Sequence, residues 1–362
     1  KAGSDIDFFN LLTKRILDED LVDTEFVENN VNNLTLIQNK FKRIPATKLL
    51  KRTGLSKEQF EEFWEIYKSN PNIITAWTMG INQSVQGVDK NLAIINTHLL
   101  TGKIYKEGSG PFSLTGQPNA MGGREVGGLS TMLAVHLGFD SESVKKVNQF
   151  WNTKKVSNKV GLTATQMLEA NLDVLIICHT DPIYHLPNRN KMEELIKKIP
   201  FVVEINAYEN SESAKFAHVR LPAAPWGEKE GTQTNLDRTI TKQEKLTRTS
   251  IDCKPDWEIF QLIAQKLGYQ KEFNYTSTKE IFEEYQEMTK LNPHLNIYET
   301  SYDELKKKPF IWGEKIRENK EFFTPDKKAN LHFVENRVLS EKTNLEYPFI
   351  LLTGRTRDQW HS

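Results

Sequence analysis

The sequence predicts an α/β chain of Rossmann-like, doubly wound sheets, and three observations predict it. Four short apolar runs each end in a polar or glycine-bearing loop, amphipathic helical patterns separate them, and two of the runs flank one helix closely enough to form a βαβ unit. In open α/β sheets, ligands bind beyond the carboxyl ends of the strands, where loops and helix N-termini present backbone N–H groups. Several such ends in one chain imply an extended ligand.

Residues 5–17 carry Phe8, Leu11, Leu12 and Ile16 at helical spacing and read as a packing helix. The first strand-like run, residues 73–77, leads into Met79-Gly80-Ile81-Asn82-Gln83 and then into a helix with Val88, Leu92, Ile95 and Leu99 on one face and Gly102 as its stop. Next comes the most informative stretch, residues 115–128, with five glycines in fourteen positions. So much glycine is costly unless the backbone must approach something closely. With Gln117, Asn119 and Arg124 interspersed, the expected guest is polar, anionic and large, and Arg124 beside Glu125 is a candidate ion pair.

The second run, Val174–Cys178, leads into His179-Thr180-Asp181-Pro182. A helix with Met192, Leu195, Ile196 and Ile199 on one face ends at Pro200, and the third run, residues 201–205, begins at once. Pro255 and Gly268 frame a helix expected to turn Trp257, Phe260, Ile263 and Leu267 inward. Residues 270–345, rich in Lys, Glu, Tyr and Phe, read as mixed helix and loop, and residues 349–352 form the fourth apolar run.

A chain of 362 residues exceeds what one hydrophobic core usually serves. Lys+Arg and Asp+Glu both number 48, so no global charge draws the chain toward nucleic acid. No run of eighteen apolar residues exists, and no membrane partner is expected. Two cysteines, Cys178 and Cys253, are too few for a disulfide framework and read as reduced thiols. The histidines, among them His179 and His185, form no metal-ligand pattern, so no metal ligand is expected. No loop carries the GxGxxG fingerprint of an ordinary NAD site. The chain begins without Met and stops in a glycine-bearing loop, which suggests an internal piece of a longer polypeptide.

The stretch TGQPNAMGGREVGG, residues 115–128, resembles the molybdopterin oxidoreductase family, and within it the assimilatory nitrate reductases. Residues 78–83 resemble the family's TMGxNQ pterin loop. The segment from Leu221 through Glu228, Lys229 and Glu230 to Arg238 is close to its LPAAxWGEKEGTxTNxxR. Gly354, Arg355, Arg357 and His361 resemble its TGRTRDQWH pterin contact.

The resemblance implies the formate dehydrogenase/DMSO reductase fold, its central domains only. It implies an α/β part over residues 1–115, a nucleotide-binding α/β domain over 116–270, a mixed region over 271–345, and the start of a pterin-binding domain over 346–362. The implied cofactors are molybdenum on two guanine-dinucleotide pterins and a 4Fe-4S cluster in the full-length parent, with none necessarily bound to this piece. Arg124 would orient the oxyanion, its rigid donor fork suiting a planar anion, and Met79 would pack at the pocket wall. Cofactor contacts fall to Gly80, Asn82, Gln83, Gln117, Asn119, Gly122, Thr180, Asp181, Asn206, Glu228 and Lys229.

Thr115 stands where formate dehydrogenases of the family carry an arginine, which argues against formate oxidation. Asp181 stands where the family has Asn, and Asn206 where it has an acidic residue that recognises guanine. The implied activity is reduction of nitrate to nitrite, with electrons from ferredoxin, flavodoxin or an NADH-linked subunit, in the cytoplasm. The piece alone is expected to be inactive. The alternatives are another molybdopterin enzyme such as a formate dehydrogenase, or a noncatalytic scaffold subunit of the same fold.

Overall fold

A computed structural model describes residues 1–337 and 342–351. The chain forms two compact units, Lys1–Gly116 with the chain from Glu314 onward, and Gln117–Gly313.

The first unit is built mainly from helices. Helix Asp5–Asp18 buries Ile6, Leu11, Leu12 and Ile16. Helix Lys57–Ser69 starts at a reciprocal capping box between Ser56 and Gln59, and its Trp64 stacks on Tyr67 while donating Nε1–H to Glu19. Leu12, Ile16, Ile37, Phe41 and Leu100 share one core with them. Each aliphatic or Phe side chain so buried contributes about 1.5–3 kcal/mol on leaving water. Strand β1 (Val31–Asn32) lies parallel to β10 (Ala329–Asn330).

Strand β2 (Ile74–Trp77) pairs in parallel with β3 (Gly110–Ser113), from Ile74 opposite Gly110 to Trp77 opposite Ser113. Between them run the short helix Met79–Asn82 and helix Gly87–Leu100. The expected inward face of the longer helix is corrected at its start. Val88 is 75% exposed, and burial concentrates in the last two turns at Ala93, Ile94, Asn96, Thr97, His98, Leu99 and Leu100. The helix end is enclosed on several sides, so no single 3.6-residue stripe describes it.

The second unit holds a parallel sheet in the order β4 (Val174–Cys178), β5 (Phe201–Asn206), β6 (Val219–Pro222). The expected βαβ unit is present. Helix Arg189–Lys197 joins β4 to β5 and packs Met192 and Ile196 against Ile177 and Val202. Val203 and Ile205 belong to a different cluster, with Ala223 and Ile259 of helix Asp256–Lys266. Val202 and Val203 point to opposite faces of β5, so both faces are covered, which explains why the strand is a continuous apolar run apart from Glu204. That buried carboxylate accepts a 3.2 Å hydrogen bond from Arg220 Nε, directly opposite on β6.

An antiparallel sheet follows, in which β7 (Gly231–Thr234) and β8 (Thr239–Gln243) form a hairpin and β9 (Phe310–Ile311) adds to β8. Two expectations are corrected here. In helix Asp256–Lys266 the buried residues are Ile259 and Ala264, whereas Phe260 is 39% and Leu267 71% exposed. Residues 349–351 are not a strand, and Phe349 and Leu351 are exposed. An apolar run becomes a strand only when a neighbour satisfies its backbone, and no described residue pairs with them.

Candidate functional site

In the glycine-rich stretch, Asn119 adopts a left-handed φ of 61° and leads into helix Ala120–Glu125. Its Oδ1 accepts a 2.9 Å hydrogen bond from the Thr234 backbone N–H of β7. A Cβ at position 122 would collide with that same oxygen, so any side chain there must push the Asn119 amide out of its place. Gln117 and Pro118 stay exposed.

Glu125, 1% exposed, accepts hydrogen bonds from Thr234 Oγ1 at 2.9 Å, Tyr285 Oη at 3.0 Å and Trp312 Nε1 at 2.7 Å. Burial pushes its carboxyl pKa up, against the pull of the three donors. The expected Arg124–Glu125 pair does not form, because successive helical residues do not face each other. Arg124 is half-buried, with Nη1 3.6 Å from Met121 Sδ and no carboxylate at ion-pair distance among the described residues. Burial, and then the Arg124 charge, push the nearby His136 down.

Beyond β4 and β5, both Asp181 oxygens are committed inside the chain. Oδ1 accepts from Ser213 Oγ at 2.6 Å and from the Tyr184 N–H, and Oδ2 accepts from the Glu212 N–H at 2.7 Å. Asp181 therefore caps helix Pro182–His185 and ties down the loop that follows β5. Asn206 Oδ1 accepts from the Tyr208 N–H, and Thr180 is exposed. Glu228 Oε2 accepts from the Ser250 N–H at 3.0 Å, and Lys229 Nζ donates to Asp256 Oδ2.

Asp256 also meets His179, whose Nε2 lies 2.5 Å from Oδ1. Burial opposes ionisation of Asp256, yet His179 and Lys229 together hold its carboxyl at about 2. Cys178 joins this group, so that one ligand atom each from Cys178, His179 and Asp256 lies within 4.8 Å of the others. Burial and the Asp256 charge push the thiol up, with Lys229 opposing. The sequence gives no sign of this meeting, since Asp256 is 77 positions from His179.

In the first unit, Thr78 Oγ1 caps the Met79 N–H. Asn82 is an internal fastener. Its Oδ1 accepts from Trp77 Nε1 at 3.0 Å and Asn91 Nδ2 at 3.1 Å, and its Nδ2 donates to Ser113 Oγ at 2.8 Å. Met79 is half-buried, while Gly80 and Gln83 are exposed. Gly354, Arg355, Arg357 and His361 lie outside the described residues. The structure thus gathers Met79, Gly80, Asn82 and Gln83 on one turn. It gathers Asn119, Gly122 and Arg124 along the short helix Ala120–Glu125 and the residue before it, and it links Lys229 to the end of β4 through Asp256.

The profile of the family described as molybdopterin oxidoreductase matches residues 1–266. A nitrate reductase of Synechocystis sp. is 32% identical across 99% of this chain and 53% of its own length. A formate dehydrogenase subunit alpha of Methanocaldococcus jannaschii is 30% identical across 99% of this chain and 54% of its own. The chain spans about half the length of these curated relatives. Among solved structures, acetylene hydratase from Pelobacter acetylenicus matches at a TM-score of 0.60 and 13% identity, over 91% of this chain and 48% of that one, a likeness of fold. The parallel sheet with loops at its strand ends, the matched 1–266 span and these near full-length alignments agree, and the chain belongs to the molybdopterin oxidoreductase family.

Proposed function

We propose that the whole protein is a molybdenum-dependent nitrate reductase, in which nitrate, two electrons and two protons give nitrite and water. The observation that carries this reading is Arg124, a half-buried guanidinium with no carboxylate at ion-pair distance among the described residues, on a short helix fastened by Glu125. A cation already neutralised by Glu125 would have little attraction left for an anion, whereas this one keeps its charge and its donor fork. Arg124 binds and orients the oxyanion, and Glu125 holds the helix that presents it.

Two glycines support a bulky guest. A Cβ at Gly80 or Gly123 would meet nothing within 4 Å, and neither residue has positive φ, so the fold itself does not require glycine there. Close approach of a pterin would. When bound, the cofactor supplies the metal that exchanges an oxygen atom and electrons with the substrate. The Asn206 amide, free on its nitrogen side among the described residues, suits a guanine edge and supports the guanine-dinucleotide form. Electron supply by ferredoxin, flavodoxin or an NADH-linked subunit, a 4Fe-4S cluster, and a cytoplasmic setting complete the reading.

These 362 residues contain two cysteines, half the thiolates such a cluster takes, so the chain by itself is inactive in this reading. One experiment tests both statements. Nitrite release with reduced viologen is measured for the full-length protein, its Arg124→Ala variant and the 362-residue chain. We expect activity in the first, a loss of about a hundredfold or more in the second, and background in the third. Formate is the second substrate to assay, because formate dehydrogenase subunits are among the relatives. Turnover of formate without nitrate would replace the nitrate reading, although Thr115 in place of an arginine speaks against it.

A further inference from the structure

At the carboxyl end of β4, the side chains of Cys178 and His179 converge on one carboxylate. Successive residues of a strand point to opposite sides, so adjacent positions do not normally share a ligand. Here the chain turns as it leaves the sheet. His179 still donates its backbone N–H to Ile205 at 3.0 Å, but its φ of 49° is in the left-handed region. That turn brings the ring back toward the Cys178 side. Asp256 arrives from an unrelated element, the first residue of helix Asp256–Lys266.

We propose that Cys178, His179 and Asp256 form a site for a zinc-type divalent cation. Their ligand atoms lie within 4.8 Å of one another, and Nε2 of His179 is 2.5 Å from Oδ1 of Asp256. Tetrahedral zinc at about 2.0–2.3 Å from each ligand separates those ligands by roughly 3.3–3.8 Å, so modest side-chain adjustment encloses an ion. One sulfur, one imidazole nitrogen and one carboxylate oxygen are the mixed set that zinc accepts and magnesium or calcium does not. Three protein ligands leave a fourth position open to water or a small ligand.

Lys229 bonds the other oxygen, Oδ2, and leaves Oδ1 on the side of the trio. It acts as the outer hydrogen bond that orients a ligating carboxylate. On binding, the Cys178 thiol gives its proton to solvent and the sulfur bonds the metal as thiolate, while the proton between His179 Nε2 and Asp256 leaves Nε2 through solvent so that the nitrogen lone pair faces the ion, with no change of oxidation state. The site adjoins Lys229, one of the expected cofactor contacts, but rests on its own three side chains and is tested without the cofactor.

The test uses the purified 362-residue chain with zinc or cobalt ions alone. Zinc should protect Cys178, and not Cys253, from alkylation, as read by peptide mass spectrometry. Cobalt should give a near-ultraviolet sulfur-to-metal charge-transfer band that disappears in Cys178→Ser and persists in Cys253→Ser. His179→Ala and Asp256→Asn should each weaken zinc binding by at least about tenfold, the lower bound even for outer partners. Circular dichroism checks that each variant is folded. If Cys178→Ser fails to fold, zinc protection of wild-type Cys178 still decides the matter. Equal alkylation with and without zinc overturns the proposal, as does a cobalt band kept in folded Cys178→Ser or zinc affinity unchanged in both other variants.

Discussion

Glu125 is satisfied by three donors from three separate segments, Thr234, Tyr285 and Trp312. A glutamine in its place keeps one acceptor oxygen and turns an N–H group toward donors. Glu125→Gln therefore leaves at least one buried donor unsatisfied, at a cost of about 1–3 kcal/mol. Urea unfolding at neutral pH should show a lower midpoint with an unchanged slope, and a variant as stable as the wild type contradicts this account. The sequence suggests a different partner for Glu125, the neighbouring Arg124, because adjacency is all a sequence displays. The true donors lie 109 to 187 positions away. Asp181 and Asn82 teach the same lesson, since both read as ligand contacts yet spend their polar atoms inside the chain.

Among the loops and helices, glycines separate the demands of folding from those of binding. Gly122 is held against Asn119 Oδ1, so Gly122→Ala must displace the side chain that fastens this loop to β7. We expect a loss of about 1–3 kcal/mol, the usual scale for a buried polar contact broken by overpacking. Gly80 sits in a short helix with open space around it, and Gly80→Ala should leave thermal stability within about 0.5 kcal/mol of the parent. In the full-length protein the same change should lower pterin content, measured by fluorescence of the released and oxidised cofactor. Full loading of Gly80→Ala would remove the argument that this glycine serves a guest. The βαβ unit itself is legible because Val174–Cys178 and the run after Pro200 are short and apolar and the amphipathic helix Arg189–Lys197 lies between them. Helix faces are less so, as Val88 and Phe260 fit an inward stripe by spacing but face solvent, because the packing neighbours choose the stripe.

Over the whole chain, the pH dependence of stability follows those groups whose proton affinity differs between the folded and unfolded states. His98 is one of them. It is fully buried, its Nε2 is 2.8 Å from Thr75 Oγ1, and its Nδ1 has no partner among the described residues. Burial, and then the charge of Lys103, depress its pKa from 6.5 to about 4. The folded chain binds this proton less readily than the unfolded one, so its contribution is complete above pH 6.5 and is lost as pH falls through about 4. The full effect is about 3 kcal/mol at one pKa unit per 1.36 kcal/mol. Unfolding titrations from pH 7 to 4 should show this slope, and it should flatten in His98→Gln. An identical slope in the variant would assign the acid sensitivity elsewhere.

The sequence alone determined the α/β class, the strand runs at residues 73–77, 174–178 and 201–205, which fold as Ile74–Trp77, Val174–Cys178 and Phe201–Asn206, and the glycine-rich stretch, because periodicity and glycine content act over neighbouring residues. Only the tertiary structure decided which polar groups meet. Glu125 found its donors, Asp181 its loop, and Cys178 and His179 their shared carboxylate on Asp256 through contacts that chain folding brings from distant segments. Such contacts leave no mark on local pattern, since hydrogen bonds and ligand geometry depend on distance in space, and sequence spacing fixes that distance only within an element.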